Sequence, residues 1–341
     1  MLRLLGLAGL AALAFLATAS AIRPFVPLPE DSDLRARVER LASAEEPYDL
    51  VVLGPSTTRC GFDPRVFDAE MARLGHPLRS LNLGLPGASS FEIDHLVARI
   101  VARRPAGLRW VMIELHPAGF NALIRPHNLF TDRAVWWHTP RQLRAVLATL
   151  ADRREGQALR PDRAVMHVRH ALWRFANVGQ ADRIAAHALA HDAPQPDPRR
   201  GYAPEDCTTE QGQARRAAYL ADPQGVRERE RVLDRQNETP VDTHHLDPRG
   251  IRRQVARLRA IGVEPVYVLT PILSPVPAIH ALRREGVLPA LLAFDSPRRQ
   301  PELYELRYRM DELHLNEDGA ALFSRKLAVR FARWLETGAE S

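Results

Sequence analysis

The fold of this chain is most constrained by a series of short apolar runs, each bounded by glycine or proline and separated by segments with helical periodicity. Buried runs of this length that alternate with helices indicate βαβ units, which build a parallel sheet. The predicted strands cover residues 50–53, 80–83, 110–115 and 265–269, with a weaker fifth at 290–294. The predicted helices cover residues 64–74, 91–102 and 248–261, and a closing helix begins near Asn316.

The pattern changes between residues 139 and 245. Arginine- and alanine-rich helical segments dominate there, interrupted by a turn-rich stretch at residues 192–201. We predict a helical insertion between the third and fourth strands, large enough to cap a site. A chain of 341 residues can bury a large core and still carry such an insertion. The predicted organisation is a core in two parts, residues 22–138 and 246–341, around an insertion at 139–245.

The first 21 residues predict export. Arg3 provides a positive start, residues 4–18 are almost wholly apolar, and Ala19-Ser20-Ala21 matches a signal-peptidase site. This combination is typical of a secretory signal peptide, and it becomes an N-terminal anchor if the peptidase does not cut. The expected location is therefore the periplasm or the outer face of the membrane.

The net charge of +6 does not indicate a nucleic-acid partner. Of the 47 basic residues only Lys326 is lysine, and the arginines are scattered among acidic residues. Blocks of basic residues interleaved with aromatic residues, as in nucleic-acid surfaces, are not found in the sequence. Cys60 and Cys207 either form one disulfide in an oxidising compartment or remain thiols, and two cysteines cannot build a cysteine-based zinc site.

Two short motifs far apart in the chain indicate a nucleophilic hydroxyl site. Gly54-Pro55-Ser56 directly follows the first predicted strand, and Asp311 and His314 lie just before the closing helix. A serine hydroxyl is inert alone and needs a base, which in turn needs an orienting carboxylate. Because ligands of an open parallel sheet sit beyond the carboxyl ends of its strands, the position after the first strand suits a nucleophile.

These blocks resemble the SGNH/GDSL hydrolase superfamily, and more narrowly its exported branch similar to alginate O-acetyltransferases. The Gly-x-Ser block is Gly54-Pro55-Ser56, the Asn-x-Gly-x-x-Gly block is residues 82–87, and the Asp-x-x-His block is residues 311–314. The resemblance implies a flavodoxin-like three-layer α/β fold with a parallel sheet. It covers residues 48–120 and 248–335 and says nothing of the insertion.

The resemblance also implies roles for individual residues. Ser56 would be the nucleophile, His314 the base and Asp311 its orienter, and the backbone N–H groups of Ser56 and Gly84 would bind the oxyanion. Gly84 suits that role because it has no Cβ to block an approaching oxygen. Asn82, the first residue of the second block, and Arg59, three residues after Ser56, are expected to contact the substrate.

The third block departs from the superfamily pattern. An asparagine is usual after the third strand, whereas this chain continues through Glu114-Leu115-His116 to Asn121. The side-chain donor to the oxyanion is therefore His116, Asn121, or absent. The acyltransferase-like relatives also depart from the hydrolase pattern in this block.

Histidine pairs and a second Asp-x-x-His block allow alternative interpretations of the site and its chemistry. His187 and His191 are four residues apart and His167 and His170 three, but two histidines without a third ligand do not define a zinc site. We therefore expect no metal and no cofactor. Trp136-Trp137-His138 has the makeup of either a sugar-stacking platform or a buried core pair. A second Asp-x-x-His, residues 242–245, lacks the Leu-Asn-x-x-Gly sequence that follows His314.

The sequence thus predicts an exported serine esterase or O-acyltransferase. Its expected substrates are small, acetyl-like acyl esters of envelope polysaccharide, and its expected partner is a membrane protein that donates the acyl group. The competing hypothesis is a non-catalytic envelope assembly or glycan-binding protein on the same fold. The departure in the third block and the long insertion support that alternative.

Overall fold

The computed structural model describes residues 2–28, 34–43, 47–116, 129, 131–151, 161–189, 197–204, 209–243 and 246–340. The chain forms two compact units. Unit 1 comprises Met1–Ala36 and Ile124–Gln195, and unit 2 comprises Arg37–Leu123 and Pro196–Ser341. The predicted insertion is therefore divided. Its first half joins the N-terminal segment in unit 1, and its second half belongs to the core.

Unit 2 is an α/β unit with a parallel sheet of five strands in the order β2-β1-β3-β4-β5, which is the flavodoxin-like order. Every pairing is parallel. The strands are β1 (Leu50–Leu53), β2 (Ser80–Asn82), β3 (Trp110–Glu114), β4 (Glu264–Leu269) and β5 (Leu291–Ala293).

The helices follow the alternation that the sequence predicts. In chain order they are α1 (Leu2–Ile22), α2 (Leu34–Ser43), α3 (Ser56–Gly61), α4 (Pro64–Arg73), α5 (Ser90–Arg103), α6 (Asp132–Trp137), α7 (Pro140–Ala151), α8 (Pro161–Ala176), α9 (Ala181–Leu189), α10 (Glu210–Leu220), α11 (Pro223–Asn237), α12 (Pro248–Arg259), α13 (Pro277–Arg284) and α14 (Glu317–Thr337). The predicted strands and long helices are confirmed within two residues at each end. The short α3 and α13 were not predicted.

Helices cover both faces of the sheet, which makes three layers. On one face α4 and α14 pack on β1 and β3, and the ring of Phe331 meets Trp110 edge-on at 5.4 Å between centroids. On the other face α5 and α12 pack together, and the Tyr267 hydroxyl of β4 donates to Gln254 of α12 at 3.1 Å. Burial on both sides explains why the strands read as continuous apolar runs.

The start of α14 is fixed beside the segment that precedes it. The Asn316 side chain accepts the Gly319 N–H at 2.9 Å and so caps the helix. A Cβ at residue 319 would fall 2.1 Å from the Tyr308 carbonyl oxygen, so only glycine fits there. This contact explains the Leu-Asn-x-x-Gly sequence that follows His314.

Both edge strands of the sheet are covered by groups from elsewhere in unit 2. The Asn82 N–H of β2 donates to the Arg200 carbonyl at 2.9 Å. The adjacent Gly201 has φ +86°, and a Cβ there would fall 1.9 Å from the Asn82 carbonyl oxygen. At the opposite edge the Leu291 N–H of β5 donates to the Glu340 carboxylate at 2.8 Å.

Unit 1 contains the N-terminal apolar helix. Arg3–Phe25 is a stretch of 23 residues that contains an 18-residue window with a mean hydropathy of 2.0, sufficient in length and composition to cross a membrane. Its far end is tied to the turn after α8: the Asn177 amide donates to the Ala19 carbonyl at 2.8 Å, and Arg23 donates to the Phe175 carbonyl at 2.9 Å. Signal sequences and membrane anchors share this type of segment.

Candidate active site

Three side chains predicted from distant parts of the sequence meet in one hydrogen-bonded chain in unit 2. The Ser56 Oγ lies 2.8 Å from the His314 Nε2. The other ring nitrogen, Nδ1, lies 3.0 Å and 3.1 Å from the two carboxylate oxygens of Asp311. A carboxylate bonded to Nδ1 fixes the tautomer in which Nε2 accepts a proton, so Nε2 faces the serine hydroxyl as a base.

Ser56 lies at the point where β1 turns into a helix. It is the first residue of α3, and Pro55 before it is in an extended conformation. The backbone pairing between β1 and β2 continues beyond the ends of both strands, where the Leu85 N–H donates to the Gly54 carbonyl at 2.9 Å. A Cβ at residue 54 would fall 1.9 Å from the Thr58 hydroxyl, so the turn needs glycine there. The turn therefore holds Ser56 at the carboxyl edge of the sheet.

The loop carrying Asp311 and His314 is held by a buried arginine. The Arg309 side chain is fully buried, and its guanidinium donates to the backbone carbonyls of Asp311 at 3.1 Å and Glu312 at 2.8 Å. The Asp311 carboxylate also accepts the backbone N–H groups of Leu313 and His314, both at 2.7 Å. These bonds fix the single turn that brings the two side chains together.

The surroundings of Asp311 favour its charged form. Burial alone would raise the pKa of this carboxyl, but the hydrogen bond and charge of His314 and two backbone N–H groups outweigh it and lower the pKa to about 2. The Arg215 Nε of α10 lies 3.4 Å from the same carboxylate. A residue of the predicted insertion thus contacts the site, although the sequence analysis did not single out Arg215.

The low pKa of Asp311 makes part of the folding stability depend on pH. Because its folded pKa is depressed, the contribution is complete above the unfolded pKa of about 4 and is lost as the pH falls towards 2. Denaturant unfolding of the wild type and of Asp311→Asn should show their stability difference shrinking by roughly 1–2 kcal/mol over this window, less than the full shift because the carboxyl retains some solvent contact. A difference that stays constant with pH would contradict this assignment.

A second carboxyl group, Glu114, lies buried beneath the turn that carries Ser56. It is the last residue of β3 and is 2% exposed. Its two oxygens accept the hydroxyls of Thr57 at 2.5 Å, Thr270 at 2.7 Å, and Thr58. Burial raises the pKa of the Glu114 carboxyl, and these hydrogen bonds offset part of the rise. The residue thereby ties the ends of β3 and β4 to α3.

The structure corrects the role expected for Asn82. This side chain is fully buried, and its amide nitrogen donates to the carbonyls of Thr58 at 2.9 Å, Phe62 at 2.8 Å and Arg59 at 3.3 Å. Asn82 therefore holds the end of α3 in place. It is withdrawn from any substrate.

Gly84 also differs from the expectation. Its backbone N–H donates to the Asn82 Oδ1 at 2.8 Å, which closes a turn of the kind that asparagine side chains often form. In this structure the Gly84 N–H is therefore engaged by the Asn82 side chain and does not stand open to a substrate oxyanion. Gly84 is required for packing instead, since a Cβ there would fall 2.4 Å from the Arg59 backbone nitrogen.

Two other N–H groups, on the turns that follow β1 and β2, have no acceptor in the described part of the chain. No described residue accepts the N–H of Ser56 or of Gly87. Gly87 has φ +63° in a turn closed by the Ala88 N–H on the Leu85 carbonyl at 3.1 Å. His116 follows β3 and is partly exposed, and Asn121 lies outside the described residues.

The histidines outside the Ser56–His314–Asp311 chain were considered as metal ligands in the sequence analysis. No group of three or more potential ligands is found in the described ranges. In unit 1 the His138 Nε2 lies 2.9 Å from the His167 Nδ1, and burial lowers the pKa of His138 to about 2. The Trp137 ring stacks on His138 at 3.8 Å, and both are buried, as in a core pair. Other residues of these alternatives lie outside the described side chains: His187, His191, Cys207 and His245.

No family model matches the chain, and no curated protein matches its sequence. The chemical interpretation of the site therefore depends on the geometry of unit 2. That geometry consists of the hydrogen-bonded chain from Ser56 through His314 to Asp311, with a buried network beneath it.

Proposed function

We propose that this chain is an exported Ser-His-Asp enzyme that hydrolyses or transfers small acyl esters. The observation that carries the proposal is the unbroken chain of hydrogen bonds from Ser56 through His314 to Asp311. A serine that merely caps a helix would need neither an imidazole at its hydroxyl nor a carboxylate behind that imidazole. The same arrangement supports membership of the SGNH-like hydrolases and their O-acyltransferase-like branch.

The proposed reaction has two halves. The Ser56 Oγ attacks the ester carbonyl while the His314 Nε2 takes its proton, and the resulting tetrahedral oxyanion collapses as His314 returns the proton to the departing alkoxide. Water or a sugar hydroxyl then attacks the acyl-serine with His314 again acting as base. Asp311 stabilises the imidazolium in both halves.

The oxyanion would be held by backbone N–H groups. Ser56 itself would supply one, and Gly87 is the second candidate in place of Gly84, because no residue in the described part of the chain accepts the Gly87 N–H. Gly87 lies two residues beyond Leu85, which is bonded to Gly54, and Ser56 lies two residues beyond Gly54. Each such donor is typically worth about 10²–10³ in rate.

We also propose that the enzyme works outside the cytoplasm. The apolar segment Arg3–Phe25 supports export through a signal sequence or an uncleaved anchor. An envelope polysaccharide is then the expected acyl acceptor, and a membrane protein the expected acyl donor. Fractionation of cells that carry a tagged chain should find it in the periplasm or membrane, and a cytoplasmic pool with Met1 intact would overturn this.

Covalent labelling tests the proposal directly. A fluorophosphonate should label the wild-type chain stoichiometrically at Ser56, and Ser56→Ala should abolish the label. Ser90→Ala is the matched control, because Ser90 is likewise the first residue of a helix and should leave labelling unchanged. A folded wild-type protein that takes no label would favour the non-catalytic glycan-binding alternative.

A further inference from the structure

Helix α1 is apolar on every side, and unit 1 leaves it almost wholly uncovered. Among its described residues only Ala19 is buried. The exposed leucines point to different sides of the helix and include Leu4, Leu7, Leu10 and Leu13. A helix of 21 residues is about 30 Å long, which is the thickness of the hydrocarbon core of a bilayer. An all-round apolar helix that protein does not cover requires lipid around it.

The C-terminal end of α1 is bonded to the C-terminal end of α8. The Asn177 side chain donates to the Ala19 carbonyl at 2.8 Å, and the Arg23 guanidinium donates to the Phe175 carbonyl at 2.9 Å. The same guanidinium lies 5.1 Å from the centre of the Phe175 ring. Peptidase cleavage after Ala21 would remove one partner of the first bond. These contacts therefore favour a helix that stays attached to unit 1, and they place the end of α8 at the lipid boundary.

The outward side of α8 is apolar. Val165, Val168 and Leu172 follow the i, i+3, i+7 spacing of one helix face, and they are 66%, 37% and 59% exposed. His167 and His170, on the opposite side of the helix, are buried. Such apolar spacing usually marks the face that packs on a core, but here the packed face carries the histidines. The three aliphatic residues, which we call the α8 stripe, are thus left for a partner.

Further exposed apolar residues surround the place where the two helices meet. They are Ile22, Phe25 and Val178, each next in sequence or nearly so to a residue of the contact. Beside the α8 stripe, the Arg169 guanidinium lies 5.6 Å from the centre of the Trp173 ring. Tryptophan is enriched at the boundary between lipid and water, and a long arginine side chain reaches lipid phosphates from there. The composition of this surface matches the interfacial layer of a membrane.

We propose that unit 1 docks on a phospholipid membrane, with α1 retained as an anchor and the α8 stripe inserted among the lipid head groups beside it. Lipid is the occupant because α8 is bonded to the end of α1, which lipid alone would cover. The inference rests on the proposed export and goes beyond the proposed chemistry. It gives the first half of the insertion a role in membrane binding, where the sequence analysis predicted a cap over the site.

The depth of the α8 stripe in a bilayer can be measured on the full chain. Leu172→Cys, in a chain with Cys60→Ala and Cys207→Ala, is labelled with a nitroxide and reconstituted in vesicles of phosphatidylethanolamine and phosphatidylglycerol. Oxygen concentrates in lipid and a neutral nickel chelate stays in water, so their collision rates with the nitroxide report its depth. The oxygen-to-nickel ratio should be severalfold higher at Leu172→Cys than at Val329→Cys, an exposed apolar site on α14. Equal ratios at the two sites would overturn the proposal.

Two aspartates in the α8 stripe should remove the lipid contact. A nitroxide at Val165→Cys should give the lipid ratio in the intact stripe and the aqueous ratio in Val168→Asp/Leu172→Asp, because a carboxylate is costly to bury in lipid. Val329→Asp is the matched control, and with it the nitroxide at Leu172→Cys should keep the lipid ratio. The circular dichroism of the aspartate variant should match the wild type, since both side chains point away from the packed side of α8. A lipid ratio that survives both aspartates would overturn the proposal.

The anchor and the chemistry can be tested apart. Intact-mass measurement of the chain extracted from membranes should find α1 still present, and a mature chain that begins at Ile22 would overturn the retained anchor. Fluorophosphonate should label Ser56 at the wild-type rate in Val168→Asp/Leu172→Asp, since the α8 stripe takes no part in the reaction. A labelled protein with an aqueous ratio at Leu172→Cys would refute the docking alone. An unlabelled protein with a lipid ratio there would refute the chemistry alone.

Discussion

Replacing His314 with alanine should lower ester turnover by several orders of magnitude. The ring bonds Ser56 on one side and Asp311 on the other, so its loss leaves the nucleophile without a base and the carboxylate without a partner. Members of such a triad act as a unit, and Ser56→Ala/His314→Ala should therefore cost little more than either change alone. Turnover of an activated acetyl ester is the measurement.

The second Asp-x-x-His block provides an internal control for this prediction. His245→Ala should leave turnover within a small factor, because the segment before it is bound elsewhere. The Thr243 hydroxyl donates to Glu285, which follows α13, at 3.0 Å. If His245→Ala abolished turnover instead, the assignment of His314 as the base would be wrong. If neither histidine mattered while activity persisted, the triad itself would be rejected.

Replacing Glu114 with leucine should destabilise the fold by roughly 3 kcal/mol or more, since each buried hydroxyl left without an acceptor costs about 1–3 kcal/mol. Three threonine hydroxyls share this carboxylate, two of them from α3. Denaturant unfolding measures the loss. Labelling of Ser56 should slow in parallel, because α3 loses the contacts that hold it against β3 and β4.

Two controls make this prediction specific. Glu336→Leu, at a carboxylate that is 56% exposed, should change stability by less than about 0.5 kcal/mol. Converting Thr57, Thr58 and Thr270 to valine in the Glu114→Leu protein should recover much of the loss, since removing both partners of a buried hydrogen bond can be nearly neutral. An unchanged stability in Glu114→Leu would show that the network does not hold the turn.

The sequence predicted the sheet well because the signals were local. Each strand is a buried run ended by glycine, proline or a polar residue, and the run length matches what a doubly covered sheet requires. The triad was also predicted, because a serine after β1 and an Asp-x-x-His before α14 fall at places set by the topology. The three side chains also had to lie within hydrogen-bonding distance of one another, and the structure shows that they do.

The remainder of the site depends on packing that periodicity does not encode. The sequence analysis placed the amphipathic helices α10 and α11 in a predicted cap. Their pattern indicates that one face of each helix is buried, but it does not show which element covers that face. Glu114 looked like a departure from a family block, and its threonine partners come from α3 and from the residue after β4. The Gly84 assignment had a readable warning, because an Asn-x-Gly sequence allows the asparagine side chain to take the glycine N–H.

The covered edges of the sheet affect whether the folded protein can aggregate. An open edge strand offers unpaired N–H and C=O groups to another chain and invites edge-to-edge aggregation. Here the Arg200 carbonyl occupies one edge and the Glu340 carboxylate the other. Only glycine fits at position 201, beside the hydrogen bond between the Asn82 N–H and the Arg200 carbonyl. We infer that this contact keeps the edge strand from pairing with the sheet of another copy of the chain.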